Sequence, residues 1–284
     1  MKTLKKAILS LVAVLVIAVA LCTITTTASA ATKTKKLTLF VGEKINIYTI
    51  GGKMKSVKSS KKKVCAAKKK SGDALLTAKK AGKSKITIKT TRGTLVYNVT
   101  VKKNPFEIAF TPIADGNLMV SVKNNSGGYF DWIDLNVTLC DAAGNPVTQK
   151  NDSVFYVGSK QTSYSQITVY EKGIDLSKTQ ITVPSWKRTP DAKYKNYAKN
   201  VNVSEFEENG YIKMRANTNY NGKGNVYVAN DIVFKDAAGQ ILKVTNESVS
   251  LYKSKKVDTT YGTRMPEGAV GYEVISNRVY VKNY

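Results

Sequence analysis

The tetrapeptide Asp141-Ala142-Ala143-Gly144 recurs as Asp236-Ala237-Ala238-Gly239, and around it the chain repeats itself at an offset of 95 residues. Asn151-Asp152-Ser153-Val154 answers to Asn246-Glu247-Ser248-Val249, and Ser159-Lys160 to Ser254-Lys255, without a gap. A repeat of that length is the size of one β-sandwich, so the chain must fold a duplicated module twice.

Apolar alternation fills in the strands. In the first copy Phe106, Ile108 and Phe110 alternate with polar residues, then Leu118, Val120 and Val122, then Ile133, Leu135, Val137 and Leu139. The second copy answers with Val201 and Val203, then Ile212, Met214 and Ala216, then Val226, Val228, Ile232 and Phe234. Period two marks half-buried strands. The offset is 94 in the second strand and 95 afterwards. A slip inside a strand would turn every side chain to the other face, so the extra residue belongs in the loop around 220–224. Asp-Ala-Ala-Gly suits a hairpin connection: Asp accepts backbone hydrogen bonds, and Gly takes the left-handed conformation that the turn needs. One carboxylate beside two alanines lacks the several oxygens calcium requires, which argues against a calcium site at Asp141 or Asp236.

The first thirty residues read as a cleaved signal peptide. Lys2, Lys5 and Lys6 precede an apolar run from Ala7 to Leu21, and Ala28-Ser29-Ala30 offers a small-x-small cleavage site before Ala31. Val19-Ala20-Leu21-Cys22 half resembles a lipobox, which keeps a lipoprotein anchored through Cys22 as the lesser alternative. The apolar run is short for a bilayer span, so no transmembrane segment is expected in the mature chain. The C-terminus carries no sorting signal of the Leu-Pro-x-Thr-Gly type and no apolar tail, so no anchor is expected there. Cys65 and Cys140 fall in different expected domains and read as small buried hydrophobes, not a disulfide. The chain has no histidine, which removes the commonest general base and zinc ligand. No metal and no cofactor are expected.

Charge divides the chain. Residues 31–103 hold twenty-one Lys and Arg against two acids, Glu43 and Asp73, a net +19 out of +25 for the whole sequence. Lys61, Lys62 and Lys63, Lys68, Lys69 and Lys70, and Lys79 and Lys80 form runs that the segment cannot neutralise, so they are solvated or meet an external polyanion. On an exported chain that polyanion is an anionic wall or surface polysaccharide in preference to nucleic acid. The plainer reading is a solubilising face.

The basic segment is nevertheless patterned as a sheet, with Leu37, Leu39 and Val41, Ile45 and Ile47, Ile86 and Ile88, and Val99 and Val101 alternating with polar residues. Leu39-Phe40-Val41-Gly42-Glu43, Ser59-Ser60-Lys61-Lys62-Lys63-Val64, Ala78-Lys79-Lys80-Ala81-Gly82-Lys83-Ser84 and Tyr97-Asn98-Val99-Thr100-Val101 resemble the group 2 bacterial immunoglobulin-like domain over residues 36–103. Val57 stands where that family often carries a tryptophan. Val137-Thr138-Leu139-Cys140-Asp141-Ala142-Ala143-Gly144 and Ile232-Val233-Phe234-Lys235-Asp236-Ala237-Ala238-Gly239 resemble the strand and turn of FxLYD-type bacterial domains. These resemblances imply immunoglobulin-like sandwiches of the kind found on adhesins and wall-associated proteins of Gram-positive bacteria, with no catalytic residues to carry over.

The expected fold is therefore all-β, with three immunoglobulin-like β-sandwich domains in tandem after the signal peptide: 31–103, 104–188 and 198–284, the last two joined by a linker at 189–197. Asn104-Pro105 marks the first boundary. Around the second, Thr189, Pro190 and Asp191 could begin a short helix, and Trp186, Tyr194 and Tyr197, interleaved with basic residues, could stack on glycans or dock onto the flanking sandwiches. The expected function is a non-catalytic surface protein that binds anionic envelope polymer, with another surface protein as a second class of partner. The alternatives are a structural or solute-binding secreted module and, third, a carbohydrate-active enzyme using Glu205, Glu207 and Glu208.

Overall fold

The computed structural model describes residues 32–48, 52–189, 194–195, 201–218, 225–251 and 257–282. The expected signal peptide lies outside them. The chain divides between Lys103 and Asn104 into two compact units, and the described residues are almost entirely strand.

The first unit is one sandwich of seven strands: β1 (Thr32–Phe40), β2 (Lys44–Ile47), β3 (Met54–Ser59), β4 (Cys65–Lys70), β5 (Asp73–Ala78), β6 (Gly82–Thr90) and β7 (Gly93–Lys102). One sheet runs β1-β7-β6-β3 and the other β2-β5-β4. β1 and β7 pair in parallel, whereas β7 and β6 pair antiparallel. The alternation in β6 is direct: Ser84, Ile86 and Ile88 are buried while Lys83, Lys85 and Lys89 are exposed. Leu39, Met54, Cys65, Leu76, Ile86, Ile88 and Val99 close the core between the sheets, each large aliphatic side chain contributing about 1.5–3 kcal/mol. Burial pushes the Cys65 thiol above its ordinary range.

The second unit holds two sandwiches built alike. The first repeat contains β8 (Phe106–Pro112), β9 (Leu118–Asn124), β10 (Tyr129–Cys140), β11 (Pro146–Val157), β12 (Thr162–Ile167), β13 (Gln180–Thr182) and β14 (Trp186–Thr189). Its sheets are β12-β9-β8 and β11-β10-β13, with β14 also on β10. Pro184 cannot donate to the ladder, and it lies where β13 and β14 are separated. The second repeat contains β15 (Tyr194–Lys195), β16 (Val201–Glu208), β17 (Tyr211–Thr218), β18 (Asn225–Lys235), β19 (Ile241–Leu251), β20 (Val257–Arg264) and β21 (Gly271–Lys282), in sheets β15-β21-β18-β19 and β16-β17-β20. The segment expected as a linker thus gives strand residues to both sides: Thr189 closes β14, and Tyr194 pairs with Lys282. The short helix expected from Thr189 falls at 190–193, outside the described residues.

The duplication extends to register. Asn136 pairs with Asn151 and Leu139 with Thr148, and 95 residues later Asp231 pairs with Asn246 and Phe234 with Lys243. Both hairpins carry a bulge at the same step, Leu139/Cys140 and Phe234/Lys235. In the turns, the Ala143 and Asn145 N–H groups donate to Asp141 Oδ1 at 2.9 and 2.8 Å. Ala238 and Gln240 do the same to Asp236 at the same distances. Gly144 and Gly239 close them at φ 86° and 81°, which a side chain would strain. Leu118, Val120 and Val122 are buried in one repeat as Ile212, Met214 and Ala216 are in the other. The one-residue change of offset falls between β17 and β18, at 219–224, outside the described residues.

One sheet face breaks the symmetry. Ile232 and Phe234 enter the second repeat's own core. Val233, facing the other way, is equally buried and packs with Val244 and Ile113, with Tyr164 and Met119 of the first repeat half-buried against them. The first repeat therefore docks on the outer face of β18, β19 and β21. Asp231 and Arg278 form an ion pair there, each at most 1 % exposed. Asp231 also accepts from the Tyr164 N–H at 3.1 Å and from Asn246 Nδ2 at 2.6 Å, and Arg278 donates to the Thr162 carbonyl at 3.1 Å. The Val244 N–H donates to Gln166 Oε1 at 2.8 Å. Tyr227 and Tyr280 stack with ring centroids 5.0 Å apart, and Tyr156 of the first repeat packs on Tyr280 at 5.0 Å. Tyr156 sits at φ 57°, a conformation that disfavours bulky residues and that the ring packing sustains.

Candidate polyanion-binding face

The lysine runs of the first unit are brought together by backbone pairing. Lys61, Lys62 and Lys63 lie in the turn between β3 and β4, and Lys79 and Lys80 in the turn between β5 and β6. The Val64 carbonyl accepts from the Lys79 and Lys80 N–H groups at 2.8 and 3.3 Å, so the two runs share one end of the sandwich. Lys68, Lys69 and Lys70 sit along β4 toward the other end, where Lys69 Nζ donates to the Met54 carbonyl at 3.1 Å. All eight are exposed.

Two more lysines join the first end. The Ser60 N–H donates to the Lys85 carbonyl at 2.9 Å, and the Lys85 N–H returns to Ser60 Oγ at 2.8 Å. That anchors Lys83 and Lys85 beside the Lys61 turn, while Lys89 lies toward the other end of β6, opposite Ser56. Across the sheet, Lys85 stands opposite Asn98 and Asn98 opposite Lys36, while Lys83 faces Thr100 and then Thr38. Lys58 lies opposite Thr87. The outer face of the four-stranded sheet therefore carries Lys36, Lys58, Lys83, Lys85, Lys89 and Lys102, with hydroxyl and amide side chains and the buried Val96 between them. A shallow cleft of about 240 Å³ runs over Ser60, Lys83, Lys85, Asn98 and Thr100. The segment's carboxylates lie elsewhere: Glu43 is buried, its Oε2 accepting from the Phe40 N–H at 2.9 Å, and Asp73 stands on β5 in the other sheet, in register with Lys70. Sequence reasoning weighted consecutive lysines and missed these alternating ones. Their signal was the odd-position spacing in Lys83-Ser84-Lys85-Ile86-Thr87-Ile88-Lys89.

Of the aromatics singled out between the repeats, Trp186 stands on β14 with its ring edge-on to Phe106, centroids 5.5 Å apart, and Phe106 meets Phe130 in the same way at 4.7 Å. Trp186 is half-buried within the first repeat. The side chain of Tyr194 and the whole of Tyr197 lie outside the described residues. Glu205, Glu207 and Glu208 are exposed along β16, and Glu208 pairs with Lys213, which holds its carboxyl below the ordinary range. Cys65 and Cys140 are both buried and unbonded. Among the described residues no group of three potential metal ligands occurs, and no helix is long and apolar enough to cross a membrane.

No protein-family model and no curated protein matches the chain. Solved structures with partial likeness include the I9–I11 tandem of titin, at 9% identity and a TM-score of 0.19, covering 83% of this chain and 96% of that one. Dimeric latent PorU from Porphyromonas gingivalis aligns at 11% identity and a TM-score of 0.17, over 77% of this chain and 26% of that one. The Bacteroides ovatus mixed-linkage glucan utilization locus protein SGBP-B, solved with a mixed-linkage heptasaccharide, aligns at 9% identity and a TM-score of 0.18, over 86% of this chain and 71% of that one.

Proposed function

We propose that this chain is a non-catalytic, exported surface protein whose first sandwich, of the group 2 bacterial immunoglobulin-like kind, binds an anionic envelope polymer. The two FxLYD-like repeats then serve as a coupled pair that extends or presents it. The observation that carries this reading is the row of lysines on one sheet face, whose Lys83–Lys85 end adjoins the Lys61–Lys63 and Lys79–Lys80 turns and which has, among the described residues, no carboxylate between them. Lysine is a point charge suited to non-specific phosphate or carboxylate contact. At a Debye length of about 8 Å in physiological salt, such a surface holds a ligand only through many simultaneous contacts, which a polymer with regularly spaced charges provides. The exposed carboxylates of β16, one of them held by Lys213, are ordinary strand-surface charges and support no acid–base pair.

The test is co-sedimentation of the full-length protein with purified cell walls across a salt series. Replacing Lys36, Lys58, Lys83, Lys85 and Lys89 together with Gln should lower retention about tenfold or more and flatten its salt dependence, by about one unit of log–log slope for every lysine that pairs with a polymer charge. Replacing Lys68, Lys69 and Lys70 should matter less, because they lie on β4 in the other sheet. A five-fold variant that still pellets like the parent at about 0.3 M salt, where screening is strong, would leave the lysines as a solubilising face and the protein as a structural module.

A further inference from the structure

We propose that the first repeat carries a second, chemically distinct site: a groove for an uncharged, hydroxyl-rich glycan chain, running from the outer face of β10 and β11 into the seam between the two repeats. The face that buries Asp231 and Val233 in the second repeat carries, among the described residues, no second sandwich in the first; Lys187 Nζ stands over the Trp132 ring, 4.7 Å from its centroid, and the Ser185 hydroxyl donates to Asp134. There its rows read Trp132 opposite Phe155, Asp134 opposite Ser153, and Asn136 opposite Asn151. Phe155 is 47% exposed. An open cleft of about 490 Å³ lies over Asp134, Asn151 and Phe155. A second, of about 370 Å³, lies in the seam over Phe155, Gln166, Thr245 and Asn246. The two share Asp152, Ser153 and Phe155, so they adjoin, with the exposed Phe155 common to both.

The lining selects the occupant. It contains carboxylates, amides and hydroxyls but no lysine or arginine, so it repels the polyanions that suit the first sandwich. A second copy of the docking repeat is a poor fit, because the buried apolar side chains of the junction are replaced: Thr138 stands for Val233 and Asp134 for Ala229. Aromatic faces take up the apolar faces of sugar rings while carboxylates and amides pair with sugar hydroxyls, which is the combination the groove offers. Asp134 accepts from the Ser153 and Ser185 hydroxyls and Asp152 from Ser165, and each carboxylate keeps further lone pairs for a ligand.

The experiment is affinity electrophoresis of the full-length protein in gels containing hydroxyethylcellulose, glycol chitin or soluble starch, with polygalacturonate as the anionic control. Binding is then repeated by calorimetry in about 1 M salt, where a Debye length of about 3 Å silences the lysine face. At least one neutral polymer should retard the protein and still bind at high salt. Phe155→Ala should weaken that binding about tenfold, the worth of one aromatic contact, and Phe155→Tyr should restore it. Phe155 is on the surface, so neither change threatens folding. The five-lysine variant should bind as the parent does, which separates this site from the polyanion reading. No retardation by any neutral polymer, or retardation that survives Phe155→Ala together with Asp134→Ala, would overturn the proposal.

Discussion

The two repeats have the same hairpin register and the same bulge, yet β10 and β18 live in different surroundings. In β10 burial alternates, with Trp132, Asp134, Asn136 and Thr138 half-exposed on the outer face. In β18 every residue from Val228 to Phe234 is buried. A strand covered on both faces reads as a near-continuous apolar run, and Ile232-Val233-Phe234 is such a run where the first repeat has Val137-Thr138-Leu139. Duplication preserved the frame, whose tolerance is low because register errors invert faces. The outer face then diverged, in one copy toward a buried junction and in the other toward an exposed polar face.

The largest expected effect tests the junction. Arg278→Met leaves the Asp231 carboxylate buried without its cation, a loss of about 3–5 kcal/mol, whereas replacing both partners with apolar residues costs less. Urea unfolding of the full chain, followed through Trp132 and Trp186, reads this from the other repeat, since both tryptophans lie in the first. A midpoint that moves shows that the repeats unfold as one cooperative unit. An unchanged tryptophan transition would mean that the buried pair stabilises the second sandwich alone.

A paired exchange sharpens the comparison at a smaller scale. Val233→Thr places a hydroxyl in the buried apolar cluster with Val244 and Ile113 and should cost about 1–3 kcal/mol. Thr138→Val at the equivalent position is half-exposed and should change stability by about 0.5 kcal/mol or less. Equal effects on the same urea transition would show that the two outer faces are not differently packed.

How much of this was legible in the sequence depends on how local the cause is. The strands, the hairpin turns and the duplication follow from period-two patterning and from Asp and Gly at fixed turn positions. Those causes act within a few residues. The junction depends on Tyr164 and Gln166 of β12 meeting β18 and β19, contacts separated by 67 and 78 residues. Arg278 in Asn277-Arg278-Val279-Tyr280 reads as an ordinary outward charge until another sandwich covers it. The lysine face was half legible: the net charge is plain, but which lysines share a face requires the β1-β7-β6-β3 strand order, including the parallel pairing of the first and last strands. The Trp132–Phe155 row was not anticipated, because their adjacency comes from the β10–β11 register and not from any motif.

The smallest effect lies in the turns, where the repeats look most alike. Both Asp141 and Asp236 accept two backbone N–H groups, but Asn145 adds a third bond from its Nδ2 to Asp141 Oδ2 at 3.1 Å, where the second repeat has Gln240. The hydrogen bonds from Asn145, backbone first and then side chain, hold the Asp141 carboxyl below its ordinary range. A depressed folded value means that this carboxylate adds stability above the unfolded value of about 3.9, and the contribution fades as pH falls through the folded value. Asn145→Ala keeps the backbone donor and removes the side-chain one, so the Asp141 titration should move up toward the ordinary range, and acid loss of the turn should begin at higher pH. Carboxyl chemical shifts followed by NMR through the acid range would read this directly. If Asp141 titrates identically in parent and variant, the extra bond is idle in solution and the two turns are equivalent in strength as well as in form.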